Sequence, residues 1–444
     1  MSRTDERVET AGGDHLTRYD AAMRADPMTA VMLVMGWLRS DWRAFTAALR
    51  AHRPVLATPA FTLVTRYADV AEVLSLERVF TVADYARRLD PVLGGPCILT
   101  QDGTALKWRE RGLMQLVLAP EDVPQVRELV GRVADEALDR AEPTGRIDAV
   151  QEVFRHVALR VCADHFGFPG PDEQTLSRWS RAVMTHVTAN PLDDPGVQAN
   201  AVKAGGEMMS HLRELLVQRR RPDDADGGRA GPDDPDGDVV ARLLHTRLPP
   251  GVALDDRRLA INVAGLLLGF VENASGSLVN AVEQILTRPG LRAEAAAAAS
   301  GAPERFAPYV WEALRFNPFL KAIARRAGRD HVLAAGTSRE TLVPAGTLVL
   351  AVVASAMFDE AAVPEPDRFR LDRPRHAYLH FGYGHHDCVG GDIGAVVLAE
   401  TARRLLARPE LRSLSPPEGA VVRDRDVFPD HWTLNLAGTD AEED

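Results

Sequence analysis

The 444-residue chain predicts a mainly α fold: a large, multihelical single domain with a small β portion. Three observations carry this expectation. Apolar residues recur with helical period through most of the chain. Strand-like stretches are few, short and paired. Strands and helices do not alternate, and no G-x-G-x-x-G occurs, which disfavours a nucleotide-binding α/β sheet. No internal repeat is present.

The elements follow in chain order. Residues 1–19 are polar and acidic with no apolar core, so a flexible tail is expected rather than a signal peptide or membrane anchor. The folded domain is expected over 20–437, with an acidic tail at 438–444. A helix at 46–51 precedes strands at 55–58 and 61–65, and a helix at 67–74 follows them. Helices are then predicted at 107–118, 121–139, 149–166, 173–187 and 195–219. Residues 222–238 hold seven aspartates among glycines and prolines and read as a mobile acidic surface loop within the domain. Its Asp-x-Asp fragments lack the glycine and glutamate spacing of a calcium loop. A helix at 254–287 would run roughly 50 Å at about 1.5 Å per residue. Its most apolar stretch, 259–271, is too short to cross a bilayer. Helices at 291–300 and 305–315 follow. Strands at 340–343 and 347–353, joined by Pro344-Ala345-Gly346, predict a hairpin. A helix at 391–407 closes the series.

Composition narrows the function. The formal net charge is −11, which argues against a nucleic-acid binder relying on bulk electrostatics. Only three of the 52 basic residues are lysines, at 107, 203 and 321. Arginine forks pair with carboxylates bidentately and keep their charge when buried. A soluble, cytoplasmic protein with no membrane or nucleic-acid partner is expected. The three cysteines, Cys97, Cys162 and Cys388, show no C-x-x-C spacing, so a zinc ribbon, an iron–sulfur cluster or a disulfide scaffold is not expected. Cys97 and Cys162 read as a loop thiol and a small buried apolar residue.

Cys388 lies in Phe381-Gly-Tyr-Gly-His-His-Asp-Cys388-Val-Gly390-Gly391, directly before a helix. Glycines let backbone approach a flat ligand and adopt positive φ. A cysteine before a helix N-terminus gains N–H donors and the positive dipole end, which favour the metal-binding thiolate. A zinc cluster drawn from His376, His380, His385, His386 and Cys388 would have none of the familiar finger spacings.

This segment resembles the haem-binding loop of cytochrome P450 enzymes, F-G-x-G-x-H-x-C-x-G, matched at Phe381, Gly382, Gly384, His386, Cys388 and Gly390. Upstream, Glu312-x-x-Arg315 resembles the family's E-x-x-R helix and Pro366-Asp-Arg368-Phe369 its P-x-R-F loop. The resemblance extends from about residue 20 to the C-terminus and implies a P450-like fold. It further implies haem b with an axial thiolate from Cys388, and a buried triad of Glu312, Arg315 and Arg368. Propionate partners would be Arg325, His386, Lys107 and Arg111; the last two stand in Lys107-Trp-Arg-Glu-Arg111, where the family often has H-x-x-x-R.

In the long helix the family carries a small-Gly-x-acid-Thr segment; here the residues are Gly269-Phe270-Val271-Glu272-Asn273-Ala274-Ser275. Glu272 fits the acid. Asn273 replaces the threonine whose hydroxyl helps position the proton-carrying water. Ser275 lies two positions on, roughly 200° around the helix, and does not substitute for it. Glu272 and Asn273 are therefore the expected catalytic residues. The expected function is a monooxygenase oxidising a small or medium natural-product-type organic substrate with O2 and external electrons. A peroxide-driven enzyme, or one catalysing desaturation, coupling or rearrangement, is the alternative raised by Asn273; a non-catalytic haem-binding protein is a more remote one. Phe80, Tyr85, Leu89, Leu93, Phe270, Phe319, Ile323 and Trp432 are expected to line the substrate pocket. Arg87, Arg88 and Lys321 read as solvated cations or as binders of a substrate carboxylate. No fused flavin or ferredoxin module is expected, so a ferredoxin and ferredoxin reductase are the expected electron donors, though not for a peroxide-driven enzyme.

Overall fold

A computed structural model describes residues 3–220, 237–246, 248–249, 251–425 and 427–437. Residues 222–236 of the expected acidic loop and the expected tail at 438–444 lie outside the described residues. The chain forms two compact units, each assembled from two stretches of sequence: Met1–Asp84 with Leu320–Cys388, and Tyr85–Phe319 with Val389–Asp444. Helices dominate and the strands are short, as the periodicity predicts.

The first unit opens with helices Arg3–Ala25, Pro27–Ser40 and Trp42–His52. The expected tail at 1–19 is thus corrected: a helix begins at Arg3, and its Tyr19 is buried, the hydroxyl donating to the Ala57 carbonyl at 3.1 Å. Asp26 caps the next helix by accepting from the amides of Met28 and Thr29, with Pro27 at the first helical position. A five-stranded sheet follows in the spatial order Val55–Ala57, Thr62–Val64, Leu348–Ala351, Ile323–Ala327, Phe80–Thr81.

The hairpin expected across Pro344-Ala345-Gly346 is overturned. Thr341–Val343 pairs instead with His331–Leu333. Leu348–Ala351 enters the five-stranded sheet, parallel to Thr62–Val64 and antiparallel to Ile323–Ala327. The turn itself exists, with Gly346 at φ +83°. Its amide donates to the Ala327 carbonyl at 2.7 Å, which steers the departing strand onto Ile323–Ala327 rather than back on itself.

In the second unit the helix Asp256–Thr287 is the spine, 32 residues long and capped by Asp255, which accepts from the Arg258 amide. It is long and apolar enough to cross a bilayer, yet 78% of its apolar window is buried in the protein, as in a core helix. Helices Glu173–Thr188, Pro195–Arg219, Pro303–Phe316 and Gly391–Leu406 pack around it. Gly276 is required in this spine: a Cβ there would lie 2.2 Å from the Phe319 ring. The single helix expected at 149–166 is instead a π-helical segment, Ala149–Arg155, running into the α-helix His156–Asp164. The β portion here comprises Arg146–Asp148, Thr433–Asn435 and Arg412–Ser413, plus the pair Val422–Asp424 and Phe428–His431.

Helix Val123–Ala141 lies along Gly391–Leu406. Gly131 makes the seat for an arginine, since a Cβ there would come within 2.7 Å of the Arg404 guanidinium. Glu400, 2% exposed, accepts from Arg403 at 2.6 and 2.8 Å and from Arg404 at 2.6 Å. Burial pushes the Glu400 carboxyl up, but the bonds from Arg403 and Arg404 outweigh it and hold it below the usual glutamate range. Replacing Glu400 by alanine leaves two guanidiniums short of their partner and should cost about 3–5 kcal/mol of unfolding free energy, measured by urea titration. The carboxylate's own contribution is complete above its unfolded pKa and disappears as pH falls through the lower folded value. The stability difference between wild type and Glu400→Gln should therefore shrink as pH drops below about 4.

Candidate active site

The cysteine loop is built within the first unit. Gly382 donates its amide to the Leu379 carbonyl at 3.1 Å, a 3-10 turn spans Gly384–His386, and the Asp387 amide closes it onto the Gly384 carbonyl at 3.1 Å. The Cys388 amide then returns to the Phe381 carbonyl at 2.8 Å. Gly382 and Gly384 have φ of +78° and +75°, conformations that L residues adopt only with strain. Gly384 is constrained twice, because a Cβ there would also meet the Leu74 carbonyl oxygen at 2.6 Å. Gly390, which begins the following helix, faces open space where a Cβ would go, so the protein's own packing does not demand a glycine there.

Of the three thiols, only Cys388 is exposed. Burial pushes the thiols of both Cys97 and Cys162 up, which makes them poor ligands. Arg325, Lys107 and Arg111 are buried cations. Arg325 donates to the neutral Ala324 carbonyl at 2.9 Å, and the Lys107 ammonium lies 5.1 Å from the Trp108 ring centroid. His386 and Phe381 are half-buried. Within the first unit, one accessible thiol on a glycine-shaped loop, with the buried Arg325 cation able to meet a carboxylate, is a donor set that fits haem. Among the described residues, no three His, Cys, Asp or Glu side chains converge to hold a metal ion.

Glu312 and Arg315 form a fully buried bidentate pair, with Nε at 3.0 Å and Nη2 at 2.6 Å from the two carboxylate oxygens. Arg368 corrects the expected buried triad. Its side chain is 75% exposed and pairs with Glu365 at 2.7 Å, three residues back in sequence. The charge left buried is thus the helical pair, whose members neutralise each other.

On the long helix, Glu272 is fully buried, and Arg181 and Arg155 approach the same oxygen, Oε2, at 3.0 and 3.8 Å. Asn273 donates from Nδ2 to the Gly269 carbonyl at 2.8 Å, while its Oδ1 has no hydrogen-bond partner. Gly269 faces open space. Ser275 is fully buried and its hydroxyl is also without a partner. Phe270 packs edge-on against Phe166 with centroids 5.2 Å apart.

The expected pocket residues are placed unevenly. Leu89 and Leu93 are buried on helix Ala83–Leu93, and Tyr85 is half-buried on it. Phe319 packs against Gly276 and tilts toward Phe428, centroids 6.3 Å apart. Trp432 is buried in the small sheet region, its indole N–H donating to the Gly419 carbonyl at 3.2 Å. Ile323 is half-buried in the first unit's sheet, and Phe80 is fully buried there. Arg88 is neither solvated nor free. It donates to the carbonyls of His186 and Asn190 at 2.8 and 2.9 Å and to Asp193 at 2.8 Å; Arg87 also reaches Asp193, at 3.2 Å.

Arg155 and Arg181 are the site residues that the sequence reading misses. No short motif marks either one. The usable signal is weak: Arg155 is a lone cation on the apolar face formed by Val150, Val153, Phe154 and Val157.

Residues 308–413, which include Glu312, Arg315, Arg368 and Cys388, match the family described as Cytochrome P450. The chain is 29% identical over 367 residues to the mycinamicin IV hydroxylase/epoxidase of Micromonospora griseorubida, covering 80% of this chain and 84% of that protein. It is 28% identical over 395 residues to the vitamin D(3) 25-hydroxylase of Pseudonocardia autotrophica, with 82% and 86% covered. In fold it is similar to the crystal structure of CalO2, at a TM-score of 0.76 and 22% identity over 90% of this chain and 97% of that one. With the thiol loop, the buried E-x-x-R pair and the mainly helical architecture already in place, these likenesses give the family: the chain belongs to the cytochrome P450 family of haem-thiolate oxidoreductases.

Proposed function

We propose that this protein is a cytoplasmic monooxygenase that oxidises a small or medium-sized organic molecule of natural-product type. Its oxidant is dioxygen, and its electrons arrive from separate proteins, a ferredoxin and its reductase. The observation that carries the reading is Cys388, the one exposed thiol, on a loop whose glycines at 382 and 384 are held at positive φ. Bound haem b supplies electron transfer and dioxygen activation at an iron held by the cysteine thiolate. The chain supplies the rest. Cys388 is the ligand, Gly382 and Gly390 give close approach, and Arg325, His386, Lys107 and Arg111 are the propionate partners. The relatives named as a hydroxylase/epoxidase and a hydroxylase support oxygen insertion into an organic substrate.

Glu272 and Asn273 handle protons in this reading. Asn273 is anchored by its bond to the Gly269 carbonyl, which leaves Oδ1 to accept from a water. An amide can orient such a water but does not relay a proton as a hydroxyl does. That same observation favours the second reading, in which peroxide, bringing its own protons and electrons, drives the chemistry or the outcome is a desaturation, coupling or rearrangement.

Two measurements test these readings. The reduced, carbon monoxide-bound protein should show the family's red-shifted Soret band, and Cys388→Ala should abolish it; survival of the band in the variant would remove Cys388 as the ligand. Asn273→Thr should raise product formed per electron consumed several-fold with ferredoxin and NAD(P)H and leave peroxide-driven turnover unchanged. Equal oxygen-driven coupling in both proteins would favour the peroxide or non-hydroxylating branch.

A further inference from the structure

Glu272 lies at 0% exposure, and neither carboxylate oxygen makes a hydrogen bond of good geometry. A buried carboxylate is tolerated only where opposite charge stands beside it. Here that charge comes from Arg181 and Arg155, at 3.0 and 3.8 Å from Oε2. Both guanidiniums are themselves held by one acceptor on a third element. Arg155 Nη2 and Arg181 Nη2 each donate to the Pro429 carbonyl at 3.0 Å.

The strand Phe428–His431 that offers this carbonyl is fixed in turn. Gln151 Nε2 donates to the Asp430 carbonyl at 2.6 Å, and His431 Nδ1 lies 2.5 Å from Asp148 Oδ2. Asp430 Oδ1 stands 3.8 Å from both guanidiniums, Asp424 stands 3.5 Å from Arg181, and Arg181 lies over the Phe428 ring at 5.1 Å. Arg155 is the last residue of the π-helical segment Ala149–Arg155. Such a turn shifts the phase at which the next side chains leave the helix, and π-turns recur at functional sites. Here it delivers a cation to the buried side, where desolvation opposes the charge and Glu272 favours it.

We infer that Arg155 is a positioning residue: through the Pro429 carbonyl that both arginines share, it keeps Arg181 against Glu272. The C-terminal strand thereby sets where the acid of the long helix points. This rests on the reading of Glu272 as a proton-handling acid, and the test separates the two.

The first measurement is a double-mutant cycle on the haem-loaded protein, using Arg155→Met, Glu272→Gln and their combination, with folding equilibria from urea titration. Arg155→Met should lower the folding constant at least tenfold with Glu272 present and less than twofold once residue 272 is glutamine. Equal losses in the two backgrounds would overturn the positioning of Glu272 by Arg155. The second measurement is product per electron consumed. Arg155→Met should lose about fivefold or more, with an unchanged substrate concentration for half-maximal spin shift and unchanged peroxide-driven turnover, and Arg155→Lys should recover part of the loss. Intact coupling in Arg155→Met alongside impaired coupling in Glu272→Gln would overturn the inference and leave the functional reading standing. Intact coupling in Glu272→Gln would instead remove Glu272 from proton handling, while a non-additive cycle would still uphold Arg155 as the residue that positions it.

Discussion

Where the 32-residue helix Asp256–Thr287 is buried, its polar side chains must find partners within the protein, and that constraint organises the second unit. Asn262, Glu272 and Asn280 find them in their own turn or on a neighbouring element, whereas the buried Ser275 hydroxyl has none. Asn262 and Asn273 use the carbonyls four residues back. Glu272 cannot do so, because a carboxylate only accepts. It draws cations from two other helical segments, and those cations are held by a strand near the C-terminus. One buried acid thereby fixes the relative placement of elements far apart in sequence.

The parts that were legible before the structure share a physical origin. Backbone conformation restricts residue choice locally, so a loop that needs positive φ at two places beside a thiol leaves its glycines in the sequence. Helical periodicity works in the same way: the pattern at 195–219 matches its helix to the residue, and that at 254–287 matches the long helix to within two residues of its start. Misreadings arise where a distant partner decides. Glu340–Val343 and Thr347–Val353 look like a hairpin because proximity in sequence favours pairing, yet each finds a better-placed strand elsewhere in its unit. Arg368 sits in a family motif, but its side chain reaches Glu365 and stays exposed. By composition residues 3–19 look like part of a tail, whereas their backbone is helical and Tyr19 is buried.

The arginines at the site were hardest to read. An arginine bias in the sequence makes any single one unremarkable by type, so position alone distinguishes Arg155, Arg181 and Arg88 from solvated neighbours. All three donate to main-chain carbonyls as well as meeting carboxylates. That pattern follows from the five-donor fork, which can answer a charge and a backbone group at once. Lysine, a compact point charge, would serve either partner less directionally.

The glycines of the long helix also set what can be changed in this protein. At Gly276 any side chain must displace the Phe319 ring, so variation there carries a packing change into the next segment of chain. At Gly269 the added group would meet nothing within 4 Å, and alanine is the better helix former by about 1 kcal/mol. The carbonyl that anchors Asn273 belongs to the backbone and survives such a change. The two positions therefore differ in kind. Position 269 has room for a methyl beside an anchored amide, whereas position 276 admits none without first reshaping its aromatic neighbour.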